Sequence, residues 1–126
     1  MLASARLQTL VLTSRIEETG RFYRDVLGLP FKGTSHGAWV FEVGGGDLRV
    51  SPVPTTQPTE HTVLGFAVAD VSGVVRALSE RGIEWVRFPK FPHDEAGILT
   101  TPDGAKVAWF RDPDGNLLSV VQYPKA

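Results

Sequence analysis

Apolar and polar positions follow one another along this chain in an order that occurs twice. An apolar run at residues 7–12 predicts a first strand, because it is short and rich in large and β-branched side chains. Ser14 and Glu17 then have the spacing of a capping box, which predicts that a helix begins there. Further strands are predicted at 38–43 and 48–51, joined by a turn of three glycines.

After a proline-rich connector the pattern begins again. Residues 63–68 predict a strand, and Asp70 is placed to cap the helix that follows. The apolar positions of this helix have helical spacing and are Val71, Val74, Val75 and Leu78. Three more strands are then predicted, at 98–101, 106–110 and 117–122.

The two halves of the chain also align residue by residue. Residues 8–27 run parallel to residues 63–82, and residues 48–50 match residues 118–120 after a short insertion. We interpret this as a βαβββ unit that is present twice. With only two copies, the chain is not a solenoid.

Two motifs carry a resemblance to a known family. They are Phe-Tyr-Arg-Asp-Val-Leu-Gly at 22–28 and Phe-Arg-Asp-Pro-Asp-Gly-Asn at 110–116. The chain resembles the vicinal oxygen chelate superfamily, which includes glyoxalases, extradiol dioxygenases and bleomycin resistance proteins. The resemblance implies an α+β fold in which two βαβββ modules form a curved mixed sheet around a cup-shaped cavity, with the helices outside. It implies one glyoxalase/bleomycin-resistance-like domain over 1–126, with module one at about 5–54 and module two at about 61–124.

Composition and charge exclude several kinds of partner and of functional site. The 126 residues include 13 basic and 14 acidic side chains, and this balance argues against nucleic acid as a partner. There is no cysteine, which excludes disulfides, thiolate metal sites and cysteine nucleophiles. No apolar run approaches the roughly 20 residues of a membrane span, and the amino terminus does not resemble a signal peptide. We therefore expect a soluble, cytoplasmic protein with no membrane partner.

Metal-dependent members of the superfamily bind their metal from four positions, and the resemblance places these on Gln8, Arg49, Val63 and Ser119. Only Gln8 is a plausible ligand, and a guanidinium at position 49 would repel a cation. We therefore expect no metal and no other cofactor. The alternative is a divalent metal held by Gln8, by His61 if the strand is shifted, and by an unrecognised carboxylate.

Strand alternation gives Arg49 a second interpretation. Asp47, Arg49 and Ser51 share one face of a predicted strand, and the neighbouring residues share the apolar face. A buried arginine needs a partner. That partner is either an internal carboxylate, such as Asp47 or Glu42, or an anionic ligand whose carboxylate or phosphate matches the guanidinium.

The candidate ligand-binding residues are polar residues expected to line the cup and two tryptophans expected to form its aromatic walls. They are Gln8, Trp39, Arg49, His61, Trp109 and Ser119. No catalytic residue is assigned. Two other histidines are expected outside the site, His36 on the surface beside a strand and His93 at a solvated loop tip, with a lid as the alternative role for His93.

The favoured function is metal-independent binding of an anionic or aromatic small molecule. One alternative is a metal-dependent lyase, isomerase or dioxygenase of the glyoxalase type, so whether the protein is an enzyme stays open. Another is a regulatory subunit with no catalytic role. The resemblance also implies a homodimer.

Overall fold

A computed structural model describes residues 1–125 of the chain. The chain divides into two compact units, the first at Met1–Gln57 and the second beginning at Pro58. Each unit contains one βαβββ module with a four-stranded mixed sheet, which confirms the predicted α+β fold class. No helix within the described residues has the length and apolar content needed to cross a membrane.

The first unit contains four strands and one helical segment. In chain order these are β1 (Gln8–Thr13), α1 (Ile16–Arg21), which continues as a π-helix (Phe22–Val26), β2 (Phe31–Ser35), β3 (Ala38–Val43) and β4 (Gly46–Pro52). The strand order is β1-β4-β3-β2, with β1 parallel to β4 and the other pairs antiparallel. Strand β2 was not located from the sequence because it is polar, mostly exposed and interrupted by a bulge.

The second unit repeats this arrangement. Its elements are β5 (Thr62–Ala67), α2 (Val71–Glu80), β6 (Leu99–Thr100), β7 (Lys106–Arg111) and β8 (Leu117–Gln122). The order is β5-β8-β7-β6, with β5 parallel to β8. A single bridge from Val86 to Trp109 extends the sheet beside β7.

The predicted capping box at the start of α1 is wrong. The helix begins at Ile16, and the residue at its N-cap is Arg15, which makes no side-chain capping bond. The chain entering the helix is held instead by Thr13, whose hydroxyl accepts a hydrogen bond from the Arg15 backbone N–H at 3.0 Å. Thr13 is fully buried and its hydroxyl also lies 2.8 Å from that of Thr19, so a buried threonine pair anchors this helix.

Helix α2 begins where the sequence predicted, but the first backbone N–H of the helix is not bonded by the side chain that was predicted to cap it. Asp70 occupies the N-cap without a side-chain capping bond. The Val71 N–H donates to Gln122 Oε1 of β8 at 3.0 Å, which ties the start of the helix to the sheet. The helix ends at Glu80 and the chain turns at Gly82, whose φ of 93° is one that glycine adopts without strain.

The register of the parallel strand pairs confirms the alignment of the two halves. Val11 pairs with Val50 in the first unit, and Phe66 pairs with Val120 in the second. One position earlier, Leu10 pairs with Arg49 and Gly65 pairs with Ser119. Arg49 and Ser119 therefore occupy equivalent positions in the two modules.

Alternation along β4 separates the helix-packed face from an open face, as predicted. Leu48 and Val50 are buried under α1, with exposed fractions of 3% and 0%. Asp47, Arg49 and Ser51 point to the opposite face and are only partly buried.

Close packing of Trp39 against Gly20 joins α1 to the sheet. A Cβ atom built on Gly20 would lie 2.4 Å from Trp39 Cδ2, a distance at which no side chain fits. Phe31 covers the indole from the strand side, with ring centroids 5.1 Å apart. The missing side chain of Gly20 is therefore what lets the helix approach the sheet closely.

Replacement of Gly20 by alanine should lower the free energy of unfolding by about 1–3 kcal/mol, because the added methyl group overpacks the indole. This loss should occur although alanine favours a helix over glycine by about 1 kcal/mol. The measurement is chemical denaturation of purified protein.

Gly73→Ala in α2 is the matched control. Its new Cβ would meet only the end of the flexible Asp70 side chain, at 2.7 Å, so stability should stay level or rise. Equal effects of the two substitutions would show that the Trp39 contact does not constrain the helix.

Candidate functional site

Arg49 lies half-buried on the open face of the first unit, and its guanidinium lacks an acidic partner. Nη2 donates a hydrogen bond to the Ser35 backbone carbonyl at 2.7 Å. Neither Asp47 nor Glu42, the two expected internal partners, forms an ion pair with it. Within residues 1–125, no carboxylate neutralises this arginine.

The two acids near Arg49 are bound by other cations. Arg6 lies 2.6 Å from Glu42 Oε1 and 3.0 Å from Asp47 Oδ1, and Lys32 Nζ lies 3.0 Å from the same Asp47 oxygen. The hydrogen bond from Arg6, followed by that from Lys32, lowers the pKa of Asp47 to about 2. Both carboxylates are therefore already paired with cations other than Arg49.

Gln8 lies on the same face, opposite Asp47 in the register of β1 with β4. It is exposed, and the neighbouring Asp47 carboxylate is held by Arg6 and Lys32. Among the described residues, no group of three or more His, Cys, Asp or Glu side chains is placed to hold a metal ion. The carboxylate beside Gln8 is thus already paired with two cations.

Trp39 lies on the other face of the sheet, against α1. Its exposed fraction is 9%, its ring contacts Gly20 and Phe31, and Arg24 Cζ lies 5.4 Å from the ring centroid. Trp39 and Trp109 are not equivalent, because the position matching Trp109 across the register is Val40. This placement gives Trp39 a role in packing the first unit.

The open face of the second unit carries a cavity of about 470 Å³. Gly65, Ser119 and Trp109 lie side by side across β5, β8 and β7, and form its centre. The remaining lining residues are small, apolar or uncharged except for one acid, and they are Thr62, Ala67, Thr101, Asp103, Ala105, Val107, Val121 and Tyr123.

Ser119 presents a hydroxyl to this cavity. The residue is only 7% exposed, yet within the described chain its side chain has no hydrogen-bond partner. A Cβ atom on Gly65 would lie 3.2 Å from Ser119 Oγ, so the glycine keeps the space beside the hydroxyl open. No fully buried side-chain oxygen among the described residues lacks a partner, so the Ser119 hydroxyl is accessible from the cavity and can exchange a hydrogen bond with what occupies it.

A bulge at the start of β5 decides which residue lines the cavity there. Thr62 pairs with Leu117, but Leu64 pairs with Leu118, so one extra residue is accommodated between them. Thr62 therefore takes the lining position that the sequence alignment assigned to Val63. The strand does shift, but by one residue, and His61 stays exposed before the strand begins.

Asp103 is the one charged residue among those that line the cavity. A hydrogen bond from the Thr101 hydroxyl, followed by one from the Ala105 backbone, lowers its pKa. No lysine or arginine is part of the lining, so the cavity offers no cation to an anionic ligand.

His93 organises the loop that supports Trp109. Its Nε2 accepts a hydrogen bond from the Phe88 N–H at 3.0 Å, and its Nδ1 donates to the Gly97 carbonyl at 3.0 Å. Its ring packs edge-on against Trp109, with centroids 5.9 Å apart. The expectation that His93 is a solvated loop tip is wrong, because both ring nitrogens are used within the loop.

Comparison with known proteins identifies the family of this chain. Residues 6–120 match the model described as Glyoxalase/Bleomycin resistance protein/Dioxygenase superfamily. This chain belongs to that superfamily. The sequence resemblance stated above is therefore confirmed, while a search of curated proteins found no match.

Solved structures of superfamily members share the fold at low sequence identity. TnmS3, an antibiotic binding protein from Streptomyces sp. CB03234, has a TM-score of 0.75 at 24% identity over 98% of this chain and 99% of its own. Lactoylglutathione lyase from Agrobacterium tumefaciens has a TM-score of 0.71 at 20% identity, covering 97% and 96%. A glyoxalase/bleomycin resistance protein/dioxygenase from Nocardioides has a TM-score of 0.69 at 19% identity, covering 94% and 83%. At these identities the likeness shows the fold alone.

The six candidate residues thus fall into separate groups. Gln8 and Arg49 share the open face of the first unit, and Trp109 and Ser119 share the cavity of the second. Trp39 packs under a helix, and His61 is exposed.

Sequence reasoning missed Ser35. It placed Gly65 on a strand face where small residues leave room but did not include it among the candidate residues, and the register now places it opposite Ser119. The contact between Ser35 and Arg49 had no signal, because β2 itself was not predicted.

Filling the cavity should weaken binding of an uncharged aromatic probe, N-phenylnaphthylamine. Gly65→Val places two methyl groups beside Ser119, and we expect affinity to fall about tenfold or more. Gly65→Ala should give a smaller loss. Fluorescence titration measures both, and thermal unfolding verifies that each variant is folded. Unchanged affinity in the valine variant would mean that the cavity does not hold the probe.

Proposed function

We propose that this protein binds small organic molecules that are anionic or aromatic, and that binding requires no metal. The observation that carries the proposal is the unneutralised guanidinium of Arg49. It is half-buried on a sheet face where both neighbouring acids are paired with other cations.

An anion suits Arg49 for a simple chemical reason. A guanidinium has five N–H donors in a planar fork, and Nη2 is the only atom with a described bond, to the Ser35 carbonyl. The remaining donors match the two oxygens of a carboxylate, sulfonate or phosphate group. Leu10, directly opposite in the register and 55% exposed, supplies apolar surface for the rest of such a ligand.

The cavity of the second unit supports the aromatic part of the proposal. Trp109 provides a flat wall, and apolar or small side chains provide the remainder. Ser119 offers one hydrogen bond at the centre, which would orient a ring that carries a polar substituent. Arg49 and this cavity belong to different units, and each is tested separately.

The family itself contains both binding proteins and enzymes. TnmS3 is named as an antibiotic binding protein, whereas another neighbour is named as a lactoylglutathione lyase. We favour the binding function because the metal positions implied by the family hold Arg49 and Ser119 here.

Two further parts of the proposal concern assembly and location. We propose a homodimer that acts in the cytoplasm, as the sequence led us to expect. The dimer is implied by the resemblance to the superfamily, and Leu7, which is 76% exposed just before β1, offers apolar surface to a second copy.

The anion site is tested with a matched pair of fluorescent probes, anilinonaphthalenesulfonate, which is anionic, and N-phenylnaphthylamine, which is uncharged. Arg49→Ala should weaken binding of the sulfonate about tenfold, because a hydrogen-bonded charge pair is lost. Affinity for the uncharged probe should not change. Arg49→Lys should retain part of the affinity, since it keeps the charge but not the fork.

Arg76→Ala is the control for a general loss of positive charge, because Arg76 is an exposed arginine on α2. It should bind both probes like the unmodified protein. If Arg49→Ala binds the sulfonate with full affinity, Arg49 is not an anion site and the proposal fails at that point.

Metal independence is tested with protein purified without chelators. We expect no stoichiometric metal and no change in Tm on adding manganese, iron, nickel, cobalt or zinc. A metal at about 100 times its Kd would stabilise the fold by roughly 2.7 kcal/mol, which is a shift of several degrees. Bound metal together with such a shift would instead support the alternative of a glyoxalase-type enzyme.

A further inference from the structure

The turn between β2 and β3 holds a histidine in an unusual backbone conformation. His36 has a φ of 51° and Gly37 a φ of 81°, the signs expected for a type I′ hairpin turn. His36 is the one non-glycine residue with positive φ among residues 1–125. Glycine fits such a position with less strain, and histidine is among the few other residues found there more often than average, so the turn tolerates this side chain.

Ser35 connects this histidine to Arg49 through two different atoms. The Ser35 carbonyl accepts the hydrogen bond from Arg49 Nη2 at 2.7 Å. The Ser35 hydroxyl lies 3.1 Å from His36 Nδ1. One residue therefore positions both the guanidinium and the imidazole.

The register places Ser35 and Arg49 on the same face of the sheet. Ser35 pairs with Ala38, and Val40 pairs with Arg49. Ala38 and Val40 are two residues apart on β3, so their side chains, and those of their partners, point to one face. The Ser35 hydroxyl, which lies beside the His36 ring, is therefore on the face that carries Arg49.

We propose that His36 is a second contact for the anion bound by Arg49, an inference that rests on the proposed anion site. When the Ser35 hydroxyl donates to Nδ1, the neutral ring carries its proton on Nε2, which is a hydrogen-bond donor. Nε2 has no partner among the described residues, and the side chain is exposed.

This arrangement specifies the class of ligand. The guanidinium binds the negative charge, and the imidazole donates to another oxygen of the same group. Leu10 and Leu12, which follow the same face along β1, present apolar surface beside it. The ligand is therefore a carboxylate, sulfonate or phosphate monoester attached to an apolar body.

The test uses a variant that should fold at least as well as the original. His36→Gly removes the imidazole and relieves the positive φ, so Tm should be equal or higher. Affinity for anilinonaphthalenesulfonate should fall roughly fivefold to tenfold, the loss of one hydrogen bond to a charged group. Affinity for N-phenylnaphthylamine should stay the same.

Ser35→Ala provides an independent test of positioning. It keeps the backbone carbonyl that binds Arg49 but removes the hydroxyl that orients His36. We expect a smaller, roughly twofold to threefold loss of sulfonate affinity. In the His36→Gly background the same change should have no further effect, because there is no ring left to orient.

The outcomes separate this inference from the proposed function. If His36→Gly binds the sulfonate like the original protein while Arg49→Ala does not, His36 is only a turn residue and the inference is overturned. If Arg49→Ala also retains full affinity, the anion site itself fails, and the role of His36 fails with it.

Discussion

The parallel pairing of β1 with β4 is the constraint on which the first unit depends. Side chains alternate along a strand, so the register that places Val11 beside Val50 also places Leu10 beside Arg49. A shift of one residue would turn Arg49 toward α1 and expose Leu48 and Val50, which are at most 3% exposed. The cost of exposing the core therefore holds the guanidinium on the open face.

The same constraint in the second unit produces a site of different chemistry. Equivalent positions across three strands hold Leu10, Arg49 and Val40 in one module, and Gly65, Ser119 and Trp109 in the other. The first set places a charge beside an exposed leucine. The second places a hydroxyl between an open space and an aromatic wall, and forms a cavity. Duplication preserved the backbone register while the side chains that face a ligand diverged.

Ion pairing around Asp47 explains why Arg49 is left for another partner. Arg6 and Lys32 both reach that carboxylate, and Arg6 also reaches Glu42. Each of these pairs is partly exposed and contributes little to stability by itself. Their consequence is local, since the two acids are unavailable to Arg49, whose described bond goes to a backbone carbonyl.

The sequence by itself determined the repeated order of strands and helix except for β2, the open face of β4 and the equivalence of Arg49 with Ser119, because these follow from periodicity and internal alignment. It did not determine how α1 is anchored, since Thr13 and Thr19 meet only after the chain turns. The sequence analysis also placed Trp39 in the site. In the structure Trp39 lies on the face of the sheet that packs against α1, because neighbouring positions of a strand face opposite sides. The bulge beside Thr62, the contact of Ser35 with Arg49 and the internal bonds of His93 were decided by tertiary structure. Each joins groups whose proximity depends on strand pairing and loop geometry, which local sequence patterns do not encode.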